Sequence, residues 1–213
     1  LLEWYRLGFD HFELMNEVAE LLKTVLGCAE PIQVTYQQLF IEQLGLDPLE
    51  ANRKQLIAVI TENNKLSDWL LNEQNSDILL QFIFNEIIEP NIGKSTPCFV
   101  YNFPQPQASL ARTCPDDNRV AQRFECYYQG IELVNGFNEL TEAEQQIERF
   151  QEDNSQRTAL ALGEKPIDNN FISALSNGLP QCSGVALGID RLVMLALKAE
   201  HIEQVISFPV ERA

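Results

Sequence analysis

Two acidic side chains, Glu125 and Glu132, flank the dipeptide Gln129-Gly130 in the run Phe124-Glu125-Cys126-Tyr127-Tyr128-Gln129-Gly130-Ile131-Glu132-Leu133-Val134-Asn135-Gly136-Phe137-Asn138-Glu139-Leu140. A two-residue turn at that dipeptide folds the run into a hairpin. Tyr128 then faces Ile131, Tyr127 faces Glu132, and Glu125 faces Val134. The two carboxylates become diagonal neighbours on one face, within roughly 7 Å between Cβ atoms. Carboxylates that close repel unless a cation or a proton lies between them. Oxygen ligands of this kind suit Mg²⁺, which also takes substrate phosphates. In so acidic a chain, a solvated face is the competing reading. Strand alternation adds a constraint: Asn135, Phe137 and Glu139 share one face, opposite Glu132. All four serve one site only if the strand bulges or twists between Glu132 and Asn135, and Gly136 makes such an irregularity possible.

A second run, Ser183-Gly184-Val185-Ala186-Leu187-Gly188-Ile189-Asp190-Arg191, reads as a small-residue strand ending in glycine and opening into a helix. Glycines let a strand lie flat beneath a planar ligand. An arginine in the first turn of the next helix can grip a phosphate with its planar fork, and helix N-termini favour anions. Plain packing, or an ion pair between Arg191 and a glutamate, is the alternative. Asp190 reads as an acidic group favouring the helix start.

The elements that must position these residues follow from periodicity. Leu1–Arg6 reads as a strand. Leu14, Met15, Val18, Leu21, Leu22 and Val25 form one stripe of a helix over 11–26, with Met15 as core filler. Shorter helices are expected at 35–44 and 54–63, and a largely apolar one from Ile78 to Ile88, capped by Ser76-Asp77 and stopped by Pro90. The block 28–92 reads as a helical insertion between strands. Cys98–Phe103 is a strand, 104–118 a loop, 119–140 the hairpin, and Thr141 with Glu144 a capping box opening a helix that buries Ile147 and Phe150. Helices are expected over 167–177 and from the second run to about Lys198. Helices and strands do not alternate regularly, so the fold class expected is α+β, an antiparallel sheet flanked by helices.

Composition bounds the rest. The chain has 213 residues, enough for one core, with 45% hydrophobic and 22% charged residues. No apolar run is long enough to cross a bilayer. A net charge of −16, from 31 acidic and 15 basic residues, opposes tight binding to a phosphate backbone. Five scattered cysteines and two histidines, with no CxxC pair, argue against a zinc site and for reduced thiols in a cytoplasmic protein.

The hairpin residues Phe124-Glu125, Gly130, Glu132-Leu133, Asn135-Gly136-Phe137 and Glu139-Leu140 resemble the ATP- and lysine-binding hairpin of class II aminoacyl-tRNA synthetases of the lysyl branch. Ser183–Arg191 resembles their motif 3, over 182–198, and Leu2-Glu3-Trp4-Tyr5-Arg6 the last strand of motif 2. Within the branch, Ala186 stands where the tRNA-charging enzymes have the middle glycine of motif 3. With 89–94 and the ending Ser207–Ala213, it is similar to the short paralogues that modify elongation factor P and prefer β-lysine. One added methyl in such a pocket shifts selectivity by roughly 1–3 kcal/mol. The resemblance implies activation of a lysine-like amino acid with ATP and Mg²⁺, transfer to a protein acceptor, and dimerisation through regions preceding this chain. It implies Mg²⁺ on Glu125 and Glu132; nucleotide beside Glu132, Leu133 and Gly188; the terminal phosphate and catalysis at Arg191; the substrate ammonium on Glu139; and Tyr5, Asn135, Phe137 and Ala186 around the amino acid. Without motif 1 and the first strand of motif 2, the chain reads as the C-terminal part of a longer enzyme, inactive alone. Charging of tRNA, or a non-catalytic binding role, are the alternatives. Without the family, Phe137 and Tyr5 read equally as core aromatics and Glu139 as an acidic group at the start of the following helix.

Overall fold

The computed structural model describes residues 1–108 and 110–209; part of the Ser207–Ala213 ending therefore lies outside the described residues. Among the described residues six strands form one sheet: β1 (Leu2–Leu7), β2 (Ile32–Thr35), β3 (Cys98–Pro104), β4 (Val120–Tyr128), β5 (Ile131–Asn138) and β6 (Cys182–Leu187), ordered β1-β6-β5-β4-β3-β2. The sheet is mixed rather than wholly antiparallel. β2 pairs parallel to β3, while the other neighbours are antiparallel. A parallel neighbour needs a long crossover, and the insertion supplies it. Within the expected helical block, α2 (Tyr36–Leu44), α3 (Arg53–Glu62), α4 (Asp68–Asn72) and α5 (Ser76–Ile83) therefore follow an edge strand that the sequence did not announce.

Each sheet face has its own core. On one, Val185, Leu187, Val134, Phe124, Cys126 and Phe99 pack against α1 (His11–Leu26), through Leu14, Met15, Val18 and Leu22, and against Leu192 of α8 (Ile189–Leu197). Helix α1 has the predicted bounds, a capping box from Asp10 and Glu13, and Gly27 in the left-handed conformation at its end. Its stripe is narrower than expected, since Val25 is exposed. On the other face the insertion packs Tyr36, Phe40, Leu56, Ile60, Leu79 and Ile83 over Cys98, Val100 and Tyr127. It covers only the β2–β3–β4 half, leaving the β5–β6–β1 half open. Asn75 caps α5, which runs on as a π-helical turn, Phe84–Ile88, and a 3₁₀ turn containing Pro90.

Beyond the hairpin, α6 (Ala143–Ala159) and α7 (Asn169–Asn177) pair through Phe150 and Phe171. The expected capping box does not form, because α6 begins one residue later, at the N-cap Glu142. The Thr141 hydroxyl instead accepts from Arg112 at 2.9 Å and donates to Glu142. Gln146 fills the buried side of α6, and Ile147 and Phe150 are half-buried.

His11 gives the fold a pH limit. It is 2% exposed and neither ring nitrogen has a hydrogen-bond partner, the Asn102 amide lying alongside without completing one. Burial pushes its pKa down to about 4, against the raising influence of Asp10. The unfolded chain therefore binds a proton near pH 6.5 that the folded chain refuses until about pH 4. Stability tied to His11 is complete above pH 6.5 and falls as pH drops toward 4, by about 3 kcal/mol in total. Urea unfolding at pH 7 and pH 4.5 is expected to show a wild-type loss that is smaller by about 2 kcal/mol in His11→Leu, which has no proton to bind. Equal losses in the two proteins would overturn this.

Candidate active site

Cross-strand register assembles the site in two rows on the open face. Glu3 of β1 lies opposite Ala186 of β6, which lies opposite Asn135 of β5, which lies opposite Glu125 of β4. One step along, Tyr5, Gly184, Phe137 and Arg123 form the second row. The turn Gln129-Gly130 has both residues at positive φ, 52° and 76°, the conformation that matches strand twist. Tyr128 faces Ile131 and Tyr127 faces Glu132, as expected, but Glu125 faces Asn135 and not Val134. The register shifts between Tyr127 and Cys126, leaving Leu133 as the extra residue. This bulge lies between Glu132 and Asn135, away from Gly136, and it brings Glu132, Asn135 and Phe137 onto one face.

Two cavities result. One, of about 240 Å³, is lined by Glu3, Tyr5, Asn135, Phe137, Glu139, Gly184 and Ala186. Glu139 is 8% exposed, and burial raises its carboxyl to about pKa 7. It does not cap α6, whose N-cap is Glu142. Gly184 makes room for it: a Cβ there would lie 2.5 Å from Glu139 Oε1 and 2.6 Å from the Tyr5 ring. Phe137 also packs on Ala108, Ala111 and Ala121, so it serves core and cavity together.

The second cavity, of about 360 Å³, is lined by Glu125, Glu132, Glu89, Arg123, Tyr127 and Gln107, among others. Glu125 is buried and takes hydrogen bonds from Arg123 and the Tyr127 hydroxyl. Burial raises its pKa; the guanidinium and the hydroxyl lower it, and the charge of Glu132 raises it further. Burial also raises the pKa of Glu89, as do the charges of Glu132 and Glu125, so three carboxyls sense one another here. Among the described residues, no group of three or more His, Cys, Asp or Glu side chains could hold a metal ion alone. Two carboxylates opening on one cavity do fit Mg²⁺, which completes its shell with phosphate and water.

Arg191, half-exposed in the first turn of α8, donates to the Glu132 carbonyl at 2.6 Å and lies 3.8 Å from its carboxylate. The Gly188 N–H donates to the Leu133 carbonyl at 2.9 Å. The Leu133 side chain is buried in the α1 core and lines neither cavity. Asp190 occupies the first turn without making a side-chain cap. A Cβ at Gly188 would meet only Arg191 methylenes, at 3.4 Å or more, which is ordinary contact. Gly188→Ala is thus expected to leave stability within about 0.5 kcal/mol of wild type. If Gly188 floors a nucleotide site, as the family resemblance implies, nucleotide affinity is expected to fall about tenfold, because the methyl would enter the space a base covers. Unchanged affinity by titration calorimetry would remove Gly188 from the nucleotide floor.

Sequence reasoning missed Glu3, Arg123, Tyr127 and Glu89. The first three were within reach, since each lies two residues from a chosen site residue on the same strand. Glu89 stood out only as the start of the run 89–94, with no role attached, for only the folded insertion brings it to the cavity.

Residues 12–212 match the family tRNA synthetases class II (D, K and N). The chain is 52% identical over 213 residues to a Pectobacterium atrosepticum protein named Elongation factor P–(R)-beta-lysine ligase, covering all of this chain and 65% of that protein. A Sodalis glossinidius protein of the same name is 51% identical over the same shares. The chain thus spans about 65% of the length of these relatives.

Proposed function

Because the chain belongs to the class II tRNA synthetase family, we propose that it carries part of the active site of a ligase that activates a lysine-like amino acid with ATP and transfers it to elongation factor P. The observation that carries this reading is the bulge at Leu133, which turns a lysine-sized cavity and a carboxylate-lined cavity onto one sheet face.

The amino-acid carboxylate attacks the α-phosphorus of ATP, pyrophosphate leaves, and a mixed anhydride forms. An amine of the acceptor protein then attacks the carbonyl carbon, loses a proton, and releases AMP. Such chemistry asks for positioning and charge neutralisation. Glu139 holds the substrate's side-chain ammonium, a charge-assisted bond in a nearly dry pocket. Tyr5, Phe137 and Asn135 enclose the carbon chain, and Glu3 adds a second anionic wall. Ala186 fills space between Asn135 and Glu3, which favours an amino acid with its amino group displaced, β-lysine over α-lysine. Glu125 and Glu132 would hold Mg²⁺, which would supply charge neutralisation at the ATP phosphates. Arg191 neutralises the terminal phosphate, and Gly188 leaves the base an open floor.

Charging of tRNA is the second reading, favoured by the family's own name. The net charge of −16 argues against it. No described helix is long and apolar enough to cross a membrane. The discriminating experiment is amino-acid-dependent ATP–pyrophosphate exchange, measured on the chain and on a form extended to the relatives' length. Exchange with β-lysine followed by transfer to elongation factor P supports the first reading. Exchange with α-lysine followed by transfer to tRNA supports the second. No exchange with either amino acid would sink both.

A further inference from the structure

We propose that Arg123 is a positioning residue that couples the two cavities, so that the amino acid and the magnesium nucleotide bind cooperatively; this rests on the functional reading above. The guanidinium lines the carboxylate cavity, on the strand carrying Glu125, and reaches the diagonal residue Asn135, which lines the other cavity. Each of its three nitrogens serves a different element. Nε donates to Asn135 Oδ1 on β5 at 3.3 Å, Nη1 to the Gln107 carbonyl at 2.8 Å, and Nη2 to the Glu125 carboxylate on its own strand. The Phe103 ring backs it, with the guanidinium carbon 4.8 Å from the centroid.

This arrangement links a residue of the amino-acid cavity, Asn135, to a residue of the phosphate cavity, Glu125, through one rigid plane. The Arg123 and Glu125 side chains are 15% and 10% exposed, so water does not readily replace a broken bond. The bond to Asn135 is the long one, beyond the usual range for such pairs, and it is the one with room to tighten. A cation drawing on the Glu125 carboxylate competes with Nη2 for it. The guanidinium then turns its donation toward Asn135 and fixes that amide against the amino acid. By reciprocity, an amino acid that orders Asn135 favours the nucleotide equally. A lysine cannot serve three acceptors in one plane, because its ammonium is a point charge on a flexible stem.

Titration calorimetry reads the coupling directly. Lysine and β-lysine are titrated with and without a non-hydrolysable ATP analogue and Mg²⁺, on the protein extended to the relatives' length. Wild type is expected to bind its amino acid about tenfold tighter when the analogue is present. Arg123→Lys is expected to bring that ratio within about twofold, whatever its effect on each affinity alone. Asn135→Ala cuts the same link while leaving the Arg123–Glu125 pair intact, and covers the case in which Arg123→Lys does not fold. It is expected to lose the ratio too. A merely structural arginine would weaken both ligands and leave the ratio unchanged. A ratio that survives in either folded variant, or is absent from a wild type that binds both ligands, overturns the coupling. A wild type that binds neither ligand overturns the functional reading and the coupling with it.

Discussion

Glu139→Gln is expected to produce a protein that is more stable at neutral pH and no longer retains its amino acid. Burial raises the Glu139 carboxyl from 4.5 in the unfolded chain to about 7 in the folded one. The folded state therefore prefers the protonated acid. The stability this confers is complete below pH 4.5 and is lost as pH rises through 7. Above that, an ionised and unpartnered carboxylate costs about 3 kcal/mol, or about 2 once solvent at the cavity mouth is allowed for. Glutamine has the same shape without the charge, so it relieves that cost. On the proposed function the same substitution removes the anion facing the substrate ammonium, worth about 2–3 kcal/mol, or about 30- to 150-fold in affinity. Wild-type affinity is also expected to weaken about tenfold per pH unit below 7, as the carboxylate gains its proton, whereas the glutamine variant stays flat. Denaturant unfolding at pH 8 and calorimetric titration from pH 5.5 to pH 8 check both halves. A variant less stable than wild type, or one that binds normally, would show that Glu139 is ordinary structure. Opposing signs in the two measurements would mark a site kept ready for a cation at the expense of the empty fold.

Where the chain stated its structure locally, the sequence was readable. Gln129-Gly130 demands positive φ at two successive residues, and one tight turn answers that demand. The apolar stripe of α1 and the glycine-ended run before α8 are similarly local. What escaped depends on partners distant in sequence. β2 spans four residues, Ile32–Thr35, too few to display alternation, and it is a strand because β3 offers it an edge. A shared site required an irregularity between Glu132 and Asn135, and one lies there; that Leu133 is the extra residue follows from burying its side chain against α1 and bonding its carbonyl to Gly188. Thr141 had the residues for a capping box but gave its hydroxyl to Arg112, which lies 29 positions away in sequence. Arg123 went unremarked because an arginine two residues from a glutamate on a strand is common. Its three-way bonding exists only once β3, β4 and β5 are side by side.

The magnesium assignment is best tested at Glu132, because the two glutamates are not equivalent. The Glu125 side chain is 10% exposed and paired with Arg123. Glu125→Gln would leave a buried guanidinium short of its counter-charge, at about 3 kcal/mol, so lost activity there could arise from lost structure. The Glu132 side chain is 39% exposed, and its firm bond to Arg191 runs through the backbone carbonyl, which substitution spares. Glu132→Gln is therefore expected to unfold within about 0.5 kcal/mol of wild type. Its amino-acid-dependent pyrophosphate exchange is expected to fall about 10²- to 10³-fold, the loss typical when a group facing developing charge is removed. The Mg²⁺ concentration for half-maximal exchange should rise about tenfold, since one of two protein ligands has lost its charge. The Glu132 carboxylate also lies 3.8 Å from Arg191, which permits a second cause of failure. Loosening of Arg191 would raise the KM for ATP and leave the Mg²⁺ midpoint in place, whereas loss of a metal ligand moves that midpoint. A slow variant whose Mg²⁺ midpoint has not moved would assign Glu132 to orienting Arg191, and the cation would then have to be held elsewhere.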